Sequence, residues 1–162
     1  IAIKAKKVSY HMNLVKRLKK DVPILIAEDD EEDREIIREA FDECMLTNDL
    51  IFVNDGEELM QYLLRCGKYA ATPEYTTPGI ILLDLNMPRK DGRQALVEIK
   101  TNAELCKIPV IILTTSKEEE DVIKTYKLGV NSFVIKPVTY SALVNVMKSI
   151  GNYWLEIVEL PK

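Results

Sequence analysis

From Pro23 onward, short apolar runs alternate with longer stretches in which apolar residues recur at helical spacing. Pro23–Ala27, Leu50–Val53, Gly79–Leu83, Pro109–Leu113 and Ser132–Ile135 are each too short to be helices. Several are apolar at consecutive positions and rich in β-branched residues, the pattern of strands buried on both faces of a parallel sheet. Between them, Ile37, Phe41 and Cys44 recur at i, i+4 and i+7, and Leu59, Leu63 and Cys66 repeat that spacing. Leu96 and Ile99, then Val122, Tyr126 and Gly129, mark two more helices, the third opened by Asp91-Gly92 and the fourth closed by Gly129. Strand and helix thus alternate five times. That order predicts right-handed crossovers and an open, doubly wound α/β fold whose five-stranded sheet carries helices on both faces. Residues 67–78 read as a long polar connection before the third strand.

The last helix is the odd element. Leu143, Val146, Met147, Ile150, Trp154 and Ile157 hold one face from Thr139 to about Val158. A helix of that length spans about 30 Å, whereas ordinary strands reach only ~17–20 Å. It is therefore expected to extend past the sheet and leave Trp154, Ile157 and Leu160 without intramolecular cover. Either Gly151 breaks the helix and the tail folds back, or a partner chain covers the stripe. The partner is the preferred reading, because an apolar stripe carrying a tryptophan is costly to leave in water.

Composition narrows the class. The chain has 162 residues, 47% apolar and 30% charged, which suits one globular domain with a real core and excludes a disordered chain. No apolar run approaches the ~18 residues of a membrane span and no secretory signal is present, so the expectation is a cytoplasmic protein that does not engage a membrane. The net charge of −4 conceals an asymmetry: residues 1–20 carry seven basic side chains and no acid, leaving the remainder at −11. Met12 directly follows His11, the only histidine, and residues 1–11 are expected to be vector-derived; the leader is assigned no function. With one histidine, neither a His-based triad nor a His-rich metal site can be built. Cys44, Cys66 and Cys106 form no C-x-x-C pair and are expected to be reduced, mostly structural thiols.

The chemistry must then come from carboxylates, hydroxyls and lysines. Six consecutive acids, Glu28 to Asp33, follow the first strand. Glu31, Glu32 and Asp33 read as favourable charges on a helix's first turn. Glu28 and Asp29 precede that turn, at the carboxyl edge of the sheet where open α/β folds bind ligands, and Asp84 closes another central strand at the same edge. Three converging carboxylates repel one another unless a cation joins them, and all-oxygen ligation favours Mg²⁺, or Mn²⁺ in its place. Thr114 ends the fourth strand and Lys136, followed by Pro137, ends the fifth. A hydroxyl, an ammonium and a metal around one carboxylate make a phosphoryl site with Asp84 as the acyl-phosphate nucleophile.

These residues carry a family resemblance. Ile24-Leu25-Ile26-Ala27-Glu28-Asp29-Asp30, Leu82-Leu83-Asp84-Leu85-Asn86-Met87-Pro88, Ile112-Leu113-Thr114-Thr115 and Phe133-Val134-Ile135-Lys136-Pro137 resemble the receiver domains of two-component response regulators. The resemblance implies a flavodoxin-like sheet in the order 2-1-3-4-5. It implies that Asp84 takes phosphate from a sensor histidine kinase, that Asp29 and Asp84 with the Asn86 carbonyl hold Mg²⁺, and that Glu28 acts through metal-bound water. It further implies that Lys136 contacts the phosphate, that Thr114 swings inward onto it, and that Phe133 is the aromatic switch that follows. Asn86 and Ser116 would tune dephosphorylation. Phe133 lacks the hydroxyl of the commoner tyrosine, and Glu28 replaces a more frequent aspartate; neither departure threatens phosphorylation.

The longer loop before Gly79 and the ending Tyr153-Trp154-Leu155-Glu156-Ile157-Val158-Glu159-Leu160-Pro161 resemble a narrower group, the single-domain regulators paired with phytochrome kinases. That likeness implies a homodimer formed through the fourth helix, the fifth strand and the fifth helix. The chain divides into a basic leader over 1–21, a receiver domain over 22–150 and an extended C-terminal helix and tail over 151–162. The four residues after Val158 are too few for an output domain, so output is expected through protein–protein contact or phosphorelay, with no enzymatic activity beyond the chain's own phosphorylation and dephosphorylation. The alternative is an Mg²⁺-dependent phosphatase or phosphotransferase of the haloacid dehalogenase kind. That chemistry wants a second aspartate where this chain has Asn86. Direct nucleic-acid binding through the leader meets an acidic body and no recognition motif.

Overall fold

Strands form where the apolar runs are short and continuous, because each must bury both of its faces. In the computed structural model, which describes residues 22–73, 75–115 and 129–157, these are β1 (Ile24–Ala27), β2 (Leu50–Val53), β3 (Ile80–Leu83), β4 (Val110–Thr114) and β5 (Ser132–Ile135). All pair in parallel in the order β2-β1-β3-β4-β5, with Ala27 beside both Val53 and Leu83 and Thr114 beside Ile135. The doubly wound order is the one expected. Side-chain alternation sorts each strand between two cores. Leu25, Ala27, Ile81, Leu83, Val110 and Ile112 face one cluster; Ile24, Ile26, Ile80, Leu82, Ile111 and Leu113 face the other.

The described helices are α1 (Glu31–Glu43), α2 (Gly56–Leu63), α3 (Gly92–Thr101) and α4 (Tyr140–Ile150), the last running on into a π-helical segment, Gly151–Ile157. α2 and α3 cover the first cluster, α1 and α4 the second. Each begins at a side-chain cap that satisfies orphan amides of the first turn. Asp30 accepts from Glu32 and Asp33, Asp55 from Glu57 and Glu58, Asp91 from Gln94, and Thr139 from Ala142. Asp91-Gly92 therefore opens α3 as the sequence predicts. Gly92 is required for a second reason: a Cβ there would overlap the main-chain oxygen of Asp84 and lie 2.8 Å from Leu85 Cα. The start of α3 thus packs directly on the loop that presents Asp84.

Four expectations lie outside the described residues: the basic leader over 1–21, the helix carrying Val122 and Tyr126, the position of Ser116, and the surroundings of Ile157 and Leu160. Gly129, expected to close that helix, has the left-handed φ of +74° that favours glycine. Two expectations need correction. Cys66 lies beyond the end of α2 and is exposed, as is Cys106, while Cys44 caps α1 half-buried. All three are free thiols, but two are surface groups rather than structural ones. Trp154 is also not left without cover: it is only 9% exposed and belongs to the second core. Residues packed against that cluster include Leu46, in the connection between α1 and β2, and Leu50, which opens β2. Gly151 continues the helix rather than breaking it, and its bare Cα lets Leu46 approach.

The 67–78 connection is less polar in space than in sequence. It forms a 3₁₀ turn at Gly67–Tyr69 and folds onto α2 through tyrosines, with the Tyr62 ring 5.1 Å from Tyr69 and 5.2 Å from Tyr75. Among the described residues, no helix is long and apolar enough to cross a membrane.

Candidate functional site

Parallel register places the residues that follow β1, β3, β4 and β5 along one edge. The ladder continues into them: Asp84 N donates to Ala27 O at 3.0 Å and Lys136 N to Thr114 O at 2.8 Å. Glu28 and Asp84 are buried and Asp29 is exposed, and the three offer carboxylate oxygens within 4.8 Å of one another. The predicted cluster is thus assembled. Asp84 is held at both oxygens, Oδ1 accepting from Asn86 N–H at 2.8 Å and Oδ2 from the Lys136 ammonium at 2.7 Å. Lys136 also pairs with Glu28 Oε2 and, at 2.8 Å, with Asp33 Oδ2. Asn86 Nδ2 donates to the Thr114 hydroxyl at 2.9 Å, tying the fully buried threonine to the loop after Asp84. Phe133 is half-buried on β5 and packs against the first core.

The electrostatics follow from burial with few compensating cations. Burial pushes the Glu28 carboxyl above its ordinary range, and the Asp84 charge adds to that; the bond and charge from Lys136 pull the other way. Burial alone would depress the Lys136 ammonium, but Asp84, Asp33 and Glu28 outweigh it and hold Lys136 firmly protonated. One ammonium therefore sits among three acids, with Asp29 beside them. Such an all-oxygen, anionic pocket fits a small hard dication, and the donor set suits Mg²⁺ or Mn²⁺.

Sequence reasoning missed two residues. Asp33, assigned only to the first turn of α1, stands there and also reaches Lys136. Arg34 is buried and donates through Nε (2.7 Å) and Nη2 to the Glu28 carbonyl, and through Nη2 to Asn54 Oδ1 at 2.8 Å. The available signal is positional: helical Cα–Cβ bonds lean toward the N-terminus, so a first-turn side chain of a helix that opens at this edge leans back into it.

From Asn54 the bonding continues away from the site. Its main-chain N–H and Nδ2 donate to Glu58 Oε2 at 3.0 and 2.6 Å, while Glu58 Oε1 accepts from Tyr69 at 2.7 Å and Lys68 at 2.5 Å. Burial would raise the Glu58 carboxyl, but the bonds from Lys68, Tyr69 and Asn54 prevail and lower it from 4.5 to about 2. A depressed folded-state value stabilises the fold above pH 4.5, and that contribution is lost as pH falls from there through 2. Glu58→Gln is expected to cost about 2–3 kcal/mol at pH 7, with the difference from the parent chain shrinking toward zero near pH 2. Urea unfolding at pH 7 and pH 3 checks this, and a pH-independent difference would contradict it.

Comparison with known proteins points one way. The response regulator receiver domain family matches residues 24–148. The response regulator Rcp1 of Synechocystis sp. is 41% identical over 138 residues, which cover 85% of this chain and 92% of that protein. The crystal structure of the phosphorylated cyanobacterial phytochrome response regulator RcpA is similar with a TM-score of 0.82 at 39% identity, covering 88% of this chain and 99% of that one. The Mn²⁺-bound form of Rcp1 gives 0.80 at 40% identity, over 87% and 99%.

Proposed function

Because the chain belongs to the response regulator receiver family, we propose that it accepts a phosphoryl group on Asp84 from the phosphohistidine of a sensor histidine kinase. An Asp84 carboxylate oxygen attacks phosphorus, the P–N bond breaks, the imidazole leaves, and an acyl phosphate remains on the side chain. Asp29, Asp84 and the Asn86 carbonyl would hold Mg²⁺, with Glu28 reaching it through bound water, and the ion would supply positive charge for the oxygens of the transferring group. The observation that carries this reading is the Lys136 ammonium, buried at 2.7 Å from Asp84 Oδ2 beside the three-carboxylate cluster. From that position it can follow a phosphoryl oxygen as the carboxylate loses its charge. Thr114, now bonded by Asn86, changes partner to the phosphoryl group, and the space it leaves draws Phe133 inward. Asn86 stands where a phosphatase of the alternative class needs an acid, so the reaction stops at the chain's own phosphorylation and dephosphorylation.

The relatives named as phytochrome response regulators support a phytochrome kinase as donor. Phosphotransfer from a panel of autophosphorylated kinases, followed by borohydride reduction and peptide mapping, tests both points. Homoserine at position 84 is the expected product, and label trapped at another carboxylate overturns the assignment.

Output through a second copy of the chain fits a groove of about 350 Å³ between β5 and α4, lined by Val134, Val146, Ile150 and Tyr153. Tyr153, 53% exposed, stands at its edge. Tyr153→Glu is expected to shift the sedimenting species from dimer to monomer while the monomer still unfolds cooperatively, with only a small drop in melting temperature. An unchanged dimer rejects this face as the interface.

A further inference from the structure

We infer that Asp33 is a positioning residue for phosphoryl transfer, the anchor that keeps the Lys136 ammonium at Asp84 once a cation has claimed the carboxylates that Lys136 otherwise shares. This rests on the reading of Asp84 and Lys136 given above.

A lysine ammonium has three N–H donors, and here they face three acids: Glu28 Oε2, Asp33 Oδ2 and Asp84 Oδ2. Glu28 and Asp84 are also members, with Asp29, of the cluster whose oxygens lie within 4.8 Å of one another. A dication placed there takes electron density and geometry from the two acids that Lys136 uses. Asp33 lies outside that cluster. Its backbone is fixed, because its amide donates to the capping Asp30 Oδ1 at 3.1 Å, and its side chain, 35% exposed, reaches across to Lys136 from the first turn of α1. Its neighbours do not share the task. Glu31 pairs with Arg34 and Arg38, and Glu32 is exposed. Without Asp33, a buried ammonium must either compete with the cation or give up its partners, and each alternative displaces it from the reacting carboxylate.

The test compares Asp33→Asn, Asp33→Glu and Glu32→Gln, alone and with Lys136→Met. With acetyl phosphate at saturating Mg²⁺, Asp33→Asn is expected to slow labelling of Asp84 by about fivefold. Glu32→Gln removes the same charge from the same turn and is expected to stay within about twofold. Asp33→Glu recovers most of the rate. In the Lys136→Met background, Asp33→Asn adds nothing, since it acts through the missing ammonium. A second readout is independent of turnover: the ¹⁵N-resolved signal of the Lys136 ammonium. It should persist in the parent chain in both EDTA and Mg²⁺, and in Asp33→Asn it should persist in EDTA and vanish on adding Mg²⁺. A parental rate in Asp33→Asn, an equal slowing in the Lys136→Met background, or an Asp33→Asn signal that persists in Mg²⁺ overturns the inference. If the parent chain itself takes no label at position 84, the reading of the site fails instead.

Discussion

Asp84→Asn should take up no phosphoryl group from acetyl phosphate and Mg²⁺, a loss of at least about a hundredfold against the parent chain. The substitution keeps shape and removes the nucleophile. An amide oxygen carries no charge to push into phosphorus, yet it can still accept the Asn86 N–H that now reaches Asp84 Oδ1. Lys136 retains Glu28 and Asp33 as partners, so the ammonium stays satisfied. The fold should not suffer, because one of several mutually repelling acids disappears. Asp84 is among the groups that raise the Glu28 carboxyl, and its neutralisation relieves that repulsion. Intact-protein mass after incubation gives the result, and an unaltered melting temperature shows that the loss is chemical. EDTA added to the parent chain should suppress labelling in the same way, since the three-carboxylate cluster then loses the dication that would balance its charge. Equal labelling of the variant and parent chains would remove Asp84 from the mechanism.

The legible parts of the site are those that depend on strand order. Glu28, Asp84, Thr114 and Lys136 each end an apolar run, and in a parallel sheet all strand ends of one kind share an edge, so their meeting follows from topology alone. Asp33 and Arg34 depend on the azimuth of α1. A one-residue rotation of the helix would turn either away from the site. The acid run from Glu28 to Asp33 hid this further, because helix-dipole chemistry accounts for Asp33 without any appeal to Lys136. The link from Arg34 through Asn54 and Glu58 to Tyr69 was illegible for a different reason. It joins four segments whose contact is set by how the 67–78 connection folds back on α2.

For the fold, continuous apolar runs were decisive because each strand feeds two cores. Leu82 and Leu83 are both fully buried but on opposite faces, a pattern that no one-sided sheet or surface helix produces. Helix ends were less legible. Cys66 continues the Leu59–Leu63 spacing in sequence, yet Arg65 takes a positive φ of 54° and turns the chain out of the helix before it. Periodicity registers residues that would share a face if the helix continued, and says nothing of where it stops.

Trp154→Ala is expected to destabilise the isolated chain by about 3–5 kcal/mol, the ordinary cost of removing a large aromatic from a core. Comparing helix length with strand length predicts the opposite, an unburied side chain awaiting a partner. That comparison counts the sheet as the only cover. α1 is 13 residues, about 20 Å, and the chain leaving it adds Leu46, whose amide donates back to Phe41 O at 3.2 Å and whose side chain packs on the same cluster. The second core therefore reaches below the sheet, and the π-helical segment closes it with Trp154. With a small domain's total stability near 5–15 kcal/mol, the loss is a large fraction of the whole. Tyr153 gives the contrast. It stacks edge-on against Trp154 at 5.3 Å but is half exposed, so Tyr153→Ala should cost no more than about 1 kcal/mol. Denaturant midpoints of the two variants separate the roles. Trp154→Ala at the parental midpoint but with a lost dimer would return Trp154 to the interface. The expected order, a steep loss for Trp154→Ala and a small one for Tyr153→Ala, assigns the inner face of this segment to the fold and leaves only its outer edge to a partner.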